Sequence, residues 1–221
     1  MNIIDAIKQR HSTRAFIDKP VTTETIEMLL DAARFAPSGV NTQPWQVAVL
    51  SGASKLRLQK QLEDAFRSGA KSDADYRYYP HEWREPFKSR RRACGLQLYE
   101  SMAVSMDDSD KRADLWAANF RAFDAPVMLL FFMDGIMQTG SFMDYGMFMQ
   151  NLMLAALEYG LATCPQASLA EYASIVKQAL DYPADSILLG GMALGYEDTT
   201  ARINSYRTPR QAVAEFTRYF D

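Results

Sequence analysis

The chain has little of what metal, disulfide and membrane chemistry require. Its 221 residues contain two cysteines and two histidines. Cys94 and Cys164 lie far apart and form no CxxC pair, and His11 and His81 complete no metal-ligand spacing with them. No metal site is therefore expected. The N-terminus has no apolar segment of the signal-peptide type. The two cysteines accordingly read as free thiols in a reducing cytoplasm. The longest unbroken apolar run, APVMLLFFM at 125–133, is too short to span a bilayer. Positive charge is not in excess either. Against 27 Asp and Glu stand 24 Lys and Arg, a formal net charge of −3, which argues against general nucleic-acid binding. The apolar fraction of 48% and charged fraction of 23% are those of an ordinary globular chain. No repeat, low-complexity tract or linker divides it, so 1–221 reads as a single domain.

Several familiar catalytic signatures are missing as well. GGMALG (190–195) fails the GxGxxG spacing and opens no βαβ unit, and the chain has no GK[ST]. That glycine cluster reads instead as a strand that needs small residues where another element or a ligand comes close. His11 and Ser12 are adjacent, and no G-x-S-x-G elbow exists to make a hydrolase pair of them. KSRRRACG (88–95) has Glu82 and Glu85 nearby and reads as a solvated face.

What the chain does have is patterned. Asn2 can cap a first helix, with Ile3 and Ile7 on one face. Thr22 can cap a second, running to Ala36, with Val21 and Ile26 placed as a hydrophobic staple and Pro37 ending it. Residues 45–50 alternate as a strand. Ser54 can cap a helix through Phe66. Residues 68–92 are polar and aromatic without a period, and helices are expected at 93–106 and 109–123. The variable helical excursion thus spans about 68–123. A buried strand follows at 126–134. The helix at 141–160, ended by Gly160, is apolar almost all round, and such a helix is buried. Part of that face is assigned to a subunit interface. A short extended stretch follows at 161–167, then a helix at 169–180, a strand at 186–196 and a tail helical from about Pro209. This order is an α+β layout with helices packed on a sheet.

The stretch RHSTRAF (10–16) gathers two arginines, a histidine and two hydroxyls at a helix-to-loop junction. A solvated cationic turn accounts for it. So does an anion site, because arginine forks and hydroxyls suit phosphate oxygens.

Read with APSGVNTQPW (36–45), DYGMFMQNLMLAALEYGLATCPQ (144–166), LLGGMALGY (188–196) and INSYRTPRQAVAEF (203–216), that stretch resembles the nitroreductase family of FMN-dependent oxidoreductases. The resemblance runs over nearly the whole chain, and four motifs in the family's order, the last joining 188–196 to the arginines of 203–216, make it specific. It is weakest over 68–123, where residues 74–100 are most similar to the nitrobenzoate reductase-like branch. The resemblance implies an α+β fold with a central, mostly antiparallel sheet surrounded by helices. It also implies an intertwined homodimer with FMN at the subunit interface. By that resemblance Arg10, Ser12 and His11 bind the phosphate or ribityl chain, joined by Arg210 and Arg207 from the tail. Arg14 lies by the N1–O2 edge of the ring, where a cation favours the reduced form and raises its potential. Pro37, Ser38, Gly39 and Asn41 come from the partner subunit. Pro165, Gln166 and Ala167 pass over the ring, and Gln150 reaches it from the buried helix. Pro165 has no N–H, so the donor to flavin N5 is Gln166 or Ala167.

The implied reaction is hydride transfer from NAD(P)H to flavin N5, then to a nitroaromatic or quinone. No catalytic protein residue is required, since the flavin carries the chemistry. Two alternatives stay open: a non-catalytic flavin or small-ligand binder, and a relative with dehalogenase-type chemistry. Partners are a small-molecule substrate and a second copy of the chain, with no nucleic acid and no membrane.

Overall fold

Strand β2 (Val127–Met133) is apolar at every position, and all seven residues are buried. Alternation sends Met128, Leu130 and Phe132 to one core and Val127, Leu129, Phe131 and Met133 to another. A strand wanted on both faces must lie inside a helix–sheet–helix sandwich, and it does. The computed structural model describes residues 2–105 and 107–220. In it β1 (Gln46–Ser51), β2, β3 (Ala162–Gln166) and β4 (Ile187–Gly195) form a sheet of order β1-β2-β4-β3. Every neighbouring pair is antiparallel. Helices α3 (Gly52–Arg67) and α7 (Ala173–Leu180) cover one face through Leu58, Leu62 and Val176. Helices α2 (Thr23–Ala33) and α6 (Gly140–Glu158) cover the other through Ile26, Leu29, Tyr145, Phe148 and Leu152.

The glycines of β4 are required by this packing. A Cβ on Gly191 would lie 2.5 Å from Leu169 Cδ1 and 2.7 Å from the Leu129 carbonyl oxygen. Gly190, at φ 153°, would place one 2.9 Å from the Gln166 carbonyl oxygen.

Two expected caps form. Asn2 accepts from the Asp5 N–H at the start of α1 (Ile3–Gln9), and Thr22 accepts from Thr25 at the start of α2. Val21 and Ile26 join the same core, completing the staple. Gly160, at φ 66°, ends α6. Its N–H bonds to Leu157 O and that of Leu161 to Ala156 O, the Schellman pattern.

Other boundaries differ for local reasons. Helix α2 ends at Ala33, because 34–36 tighten through bonds such as Ala36 N–H to Ala33 O. Helix α3 begins at Gly52, so Ser54 lies inside its first turn; its hydroxyl donates to Ser51 O rather than capping. Helix α4 (Phe87–Ser101) includes the charge run 88–92 and buries no residue. The predicted end of that helix, Met106, lies outside the described residues. Helix α5 (Ser109–Ala117) stops short of 123, since Ala122, Phe123 and Asp124 all take left-handed φ of 50–57°. Helix α7 starts at Ala173, after a 3-10 turn at Ser168–Ala170. In the tail, among the described residues, α8 (Val213–Phe216) is the one α-helix, preceded by a 3-10 turn at Arg202–Asn204.

Within the single chain, helix α6 is buried on only part of its apolar surface. Tyr145, Phe148, Leu152, Met153 and Ala156 are buried, but Met143 is 72% exposed and Met147, Met149 and Leu157 are only half-buried. Among the described residues no helix is long and apolar enough to cross a membrane.

Candidate functional site

Helix α1 ends at Gln9 with Arg10 as its cap, and the chain then runs along the start of β3. Ser12 bridges to Thr163, and the N–H of the fully buried Thr13 donates to Thr163 O at 3.0 Å. On the other side Asn204 clamps the same segment. Its side chain accepts from Arg14 N–H at 2.8 Å and donates to Ala15 O at 2.9 Å. Residues 10–16 are thus stitched between the sheet and the C-terminal tail, which turns a sequence-local cluster of donors into a fixed one.

Three of those groups act on one thiol. Cys164 is buried, and burial pushes its thiol up; Arg14, Ser12 and Arg10 pull it the other way. Arg14 Nη1 donates to Tyr206 Oη at 2.9 Å and to Ser12 O at 3.2 Å. Its guanidinium carbon lies 5.9 Å from the ring centres of both Phe123 and Tyr206.

Arg10 sits with its own kind. Its guanidinium is pulled below the ordinary arginine range by burial first and by the positive charge of Arg210 second. Among the described residues neither Arg10 nor Arg210 is ion-paired with a carboxylate. Two uncompensated like charges brought together from opposite ends of the chain are a place for an anion. Arg207 Nη1 donates to the Asn204 and Tyr206 carbonyls, and Arg207 and Arg10 both line a cleft of about 540 Å³. His11 lines it too, but both ring nitrogens are engaged, Nε2 at 3.0 Å from Glu197 Oε1 and Nδ1 at 3.1 Å from Gln9 O.

A larger cleft of about 710 Å³ lies past the end of β3, and that volume suits a cofactor. Arg14, Cys164, Pro165, Gln166 and Ala167 form one wall; Tyr76, Tyr78, Tyr79, Trp116 and Phe123 contribute others. Gln166 is buried and donates through Nε2 to Asn119 O at 2.8 Å, while its Oε1 has no protein partner. Ser168 Oγ beside it has none either. Buried polar atoms are ordinarily satisfied, so two orphans on one wall point to a polar molecule in the cleft. The donor set fits FMN: an arginine pair for a dianionic phosphate, and unpaired side-chain polar atoms for a ring edge rich in donors and acceptors.

Other predicted residues are not brought there. The loop holding Pro37, Ser38, Gly39 and Asn41 packs on the start of α6, with Gly39 N–H 3.3 Å from Asp144 Oδ2. Val40, at its tip, is 98% exposed at φ 46°, an outlier for a β-branched residue. These four residues and the half-buried Gln150 line neither cleft of their own chain. Sequence reasoning missed Tyr206, Asn204, Phe123 and Asn119. It also assigned no role to Tyr76, Tyr78 or Tyr79; the only signal was their aromatic density in an unpatterned stretch. No group of three or more His, Cys, Asp or Glu able to hold a metal occurs among the described residues.

Comparison with known proteins gives the family of the chain. The model of the Nitroreductase family matches residues 7–196. A chloronitrobenzene nitroreductase of Comamonas testosteroni is 35% identical over 98% of this chain and 96% of its own. A 4-nitrobenzoate reductase of Pseudomonas putida is 36% identical over 96% and 93%. Among solved structures, the FMN and NADPH-dependent nitroreductase NfnB from sphigopyxis sp. strain HMH superposes with a TM-score of 0.96 at 34% identity, covering all of both chains. The FMN-dependent NfnB from Mycobacterium smegmatis, in complex with NADPH, gives 0.93 at 33% identity, again over both whole chains.

Proposed function

The chain belongs to the nitroreductase family, and we propose that it is an FMN-dependent oxidoreductase passing hydride from NAD(P)H to an electron-poor acceptor such as a nitroaromatic or a quinone. The observation that carries this reading is the cofactor-sized cleft whose wall holds two orphaned polar atoms, supported by the charge of Arg210 acting on Arg10, which lines the 540 Å³ cleft. Arg10 and Arg210, with Ser12 and Arg207, would hold the phosphate. Arg14, Pro165, Gln166 and Ala167 would hold the isoalloxazine. When bound, FMN supplies the hydride relay at its N5 position.

The chain's own contribution is binding and orientation. Tyr206 and Phe123 steady the Arg14 guanidinium, so that its charge is presented from one direction. Cys164 and Pro165 present no strong donor to the cleft. Its aromatic residues exclude water and offer flat apolar surface to an aromatic acceptor. We assign no side chain as acid or base.

The working form is proposed to be an intertwined cytoplasmic homodimer of a single FMN-binding domain. Support comes from the apolar side chains left uncovered on α6 and from Ile3, Ile4 and Ile7 exposed along α1. It comes also from the loop 37–41, which lines neither of the two clefts described above and is placed to serve the partner's. Denaturing the purified yellow protein and separating the released flavin tests the reading. One FMN per chain in a dimer that oxidises NADPH when 4-nitrobenzoate is added is expected. FAD, or a flavin-free protein, would contradict it.

A further inference from the structure

Strand β4 is longer than the strand beside it. β3 pairs only with Gly191–Gly195, leaving the first part of β4 with an open edge. Side chains from the excursion occupy that edge. Asp75 Oδ2 accepts from Leu188 N–H at 2.8 Å, and Tyr76 Oη donates to Leu189 O at 2.6 Å. The other Asp75 oxygen, Oδ1, lies 2.6 Å from Lys177 Nζ, whose second bond is to Ala184 O at 3.1 Å. The Lys177 and Asp75 side chains are only 8% and 19% exposed. The seam continues outward: Asp73 accepts from Ser174, and Asp73 N–H and Ser72 Oγ both donate to Glu171 O at 3.0 Å.

The wall of the cleft begins where this seam ends. Tyr76, Tyr78 and Tyr79 line the cleft together with Pro165 and Gln166. Their rings form a linked series, Tyr78 to Tyr79 at 4.7 Å and Tyr79 to Trp83 at 5.6 Å between centres, with Tyr76 4.9 Å from Phe142. Burial, with neighbouring Tyr78 and Tyr79, pushes the Tyr76 hydroxyl up to about 12, so it stays a donor to Leu189 O. Residues 68–86 form no helix or strand of their own, so no helix or strand ladder holds these rings in place.

We propose that Asp75 and Lys177 are positioning residues for the acceptor: their buried ion pair fastens the excursion to the open edge of β4 and holds the tyrosine wall over the cleft. The inference rests on the flavin reading above and deepens it. The acceptor side of the site is set by a polar fastening that touches neither FMN nor substrate. A buried ion pair is a weak source of net stability but a strict source of geometry, because each charge tolerates few other placements. A ligand that needs an ordered wall loses apparent affinity in proportion to the fraction of molecules that have one.

The test compares wild type with Asp75→Asn, which keeps an acceptor for Leu188 but removes the charge, and with Asp75→Asn/Lys177→Met, which leaves no buried charge unpaired. Benzoate serves as an unreactive aromatic probe, its Kd read from the perturbed flavin spectrum. FMN Kd is measured alongside, with steady-state rates for 4-nitrobenzoate and for hexacyanoferrate(III), a small non-aromatic acceptor. In the double variant benzoate Kd and the KM for 4-nitrobenzoate are expected to rise about tenfold, as for a wall ordered one-tenth of the time. FMN Kd, kcat and the hexacyanoferrate rate stay within about twofold. Unchanged benzoate binding, or equal weakening of FMN and benzoate, would overturn the proposal. If these variants do not fold, Ser174→Ala at the exposed end of the seam decides. A rise of about twofold in benzoate Kd supports the proposal, and no rise overturns it. Wild type lacking FMN would instead refute the flavin reading.

Discussion

Strand β2 and helix α4 show how differently two parts of this molecule are made. All seven residues of β2 are buried, and they enter two separate cores. Helix α4 buries none of its fifteen. The sheet is held by apolar area removed from water, which is large and non-directional. Among the described residues of the excursion none from 68 to 116 is buried, and that part is held by individual polar contacts such as the Asp75–Lys177 pair and Gln97 donating to Arg207 O, while Phe120, Ala122 and Phe123 at its end join the core. The 710 Å³ cleft lies between these regions, with β3 and residue 14 on the sheet side and the tyrosines on the other. Its cofactor wall therefore inherits the stability of a core, while its acceptor wall changes with a few side chains. A protein arranged in this way can retune its substrate without endangering its fold.

The sharpest way to break that comparison is to delete one ring from each region. Phe131→Ala in β2 empties a fully buried site and is expected to destabilise the protein by about 3–5 kcal/mol. Phe87→Ala at the start of α4, where the ring is mostly exposed, should change stability by less than about 0.5 kcal/mol. Urea unfolding of both variants checks the pair, and similar losses would dissolve the distinction.

Next in size is the phosphate pair. A charge-assisted contact of the kind assigned to Arg10 or Arg210 is worth roughly 1.5–3 kcal/mol. Alanine at either position should weaken FMN binding about tenfold to a hundredfold and riboflavin binding far less, by fluorescence titration. Equal losses for the two flavins would move these arginines away from the phosphate.

A smaller effect concerns the ring. Tyr206→Phe removes the acceptor of Arg14 Nη1 but keeps the aromatic face. A less fixed cation stabilises the reduced flavin less, so the two-electron potential should fall, by no more than about 30 mV, equivalent to 1.4 kcal/mol. Spectroelectrochemical titration of both proteins with FMN bound measures it, and a rise would reverse the assigned role of Arg14.

The smallest perturbation sharpens the contrast without any mutation. Cys94 is exposed on α4, whereas Cys164 is buried on β3 with its thiol pushed up by that burial. The thiolate is the reactive form. Iodoacetamide at mildly alkaline pH should therefore modify Cys94 alone in the folded protein, as peptide mass spectrometry would show.

The same contrast explains what could be read in advance. The sheet strands, the caps at Asn2 and Thr22 and the stop at Gly160 rest on local chemistry and short periodicities, and each appears close to its expected place. Arg10 and Arg210 are paired through family motifs, and in the fold the charge of Arg210 acts on Arg10. Helix α4 was misjudged because a solvated helix has no apolar period to detect. Ser54 was misjudged because a hydroxyl in the first turn can bond backward as readily as forward. Asp75, Lys177 and Tyr206 carried no signal at all. Their roles arise from contacts across a hundred or more residues, and a lone Asp or Tyr in a polar stretch looks like any other.

The central claim is that this cleft holds FMN and relays hydride from a nicotinamide to a nitroaromatic acceptor. Anaerobic mixing of the purified protein, first with NADPH and then with 4-nitrobenzoate, tests it in two separable steps. The visible flavin band should bleach with one equivalent of NADPH per FMN and return when the nitro compound is added. A band that NADPH leaves unchanged, or that bleaches and does not return with the nitro compound, would contradict the account.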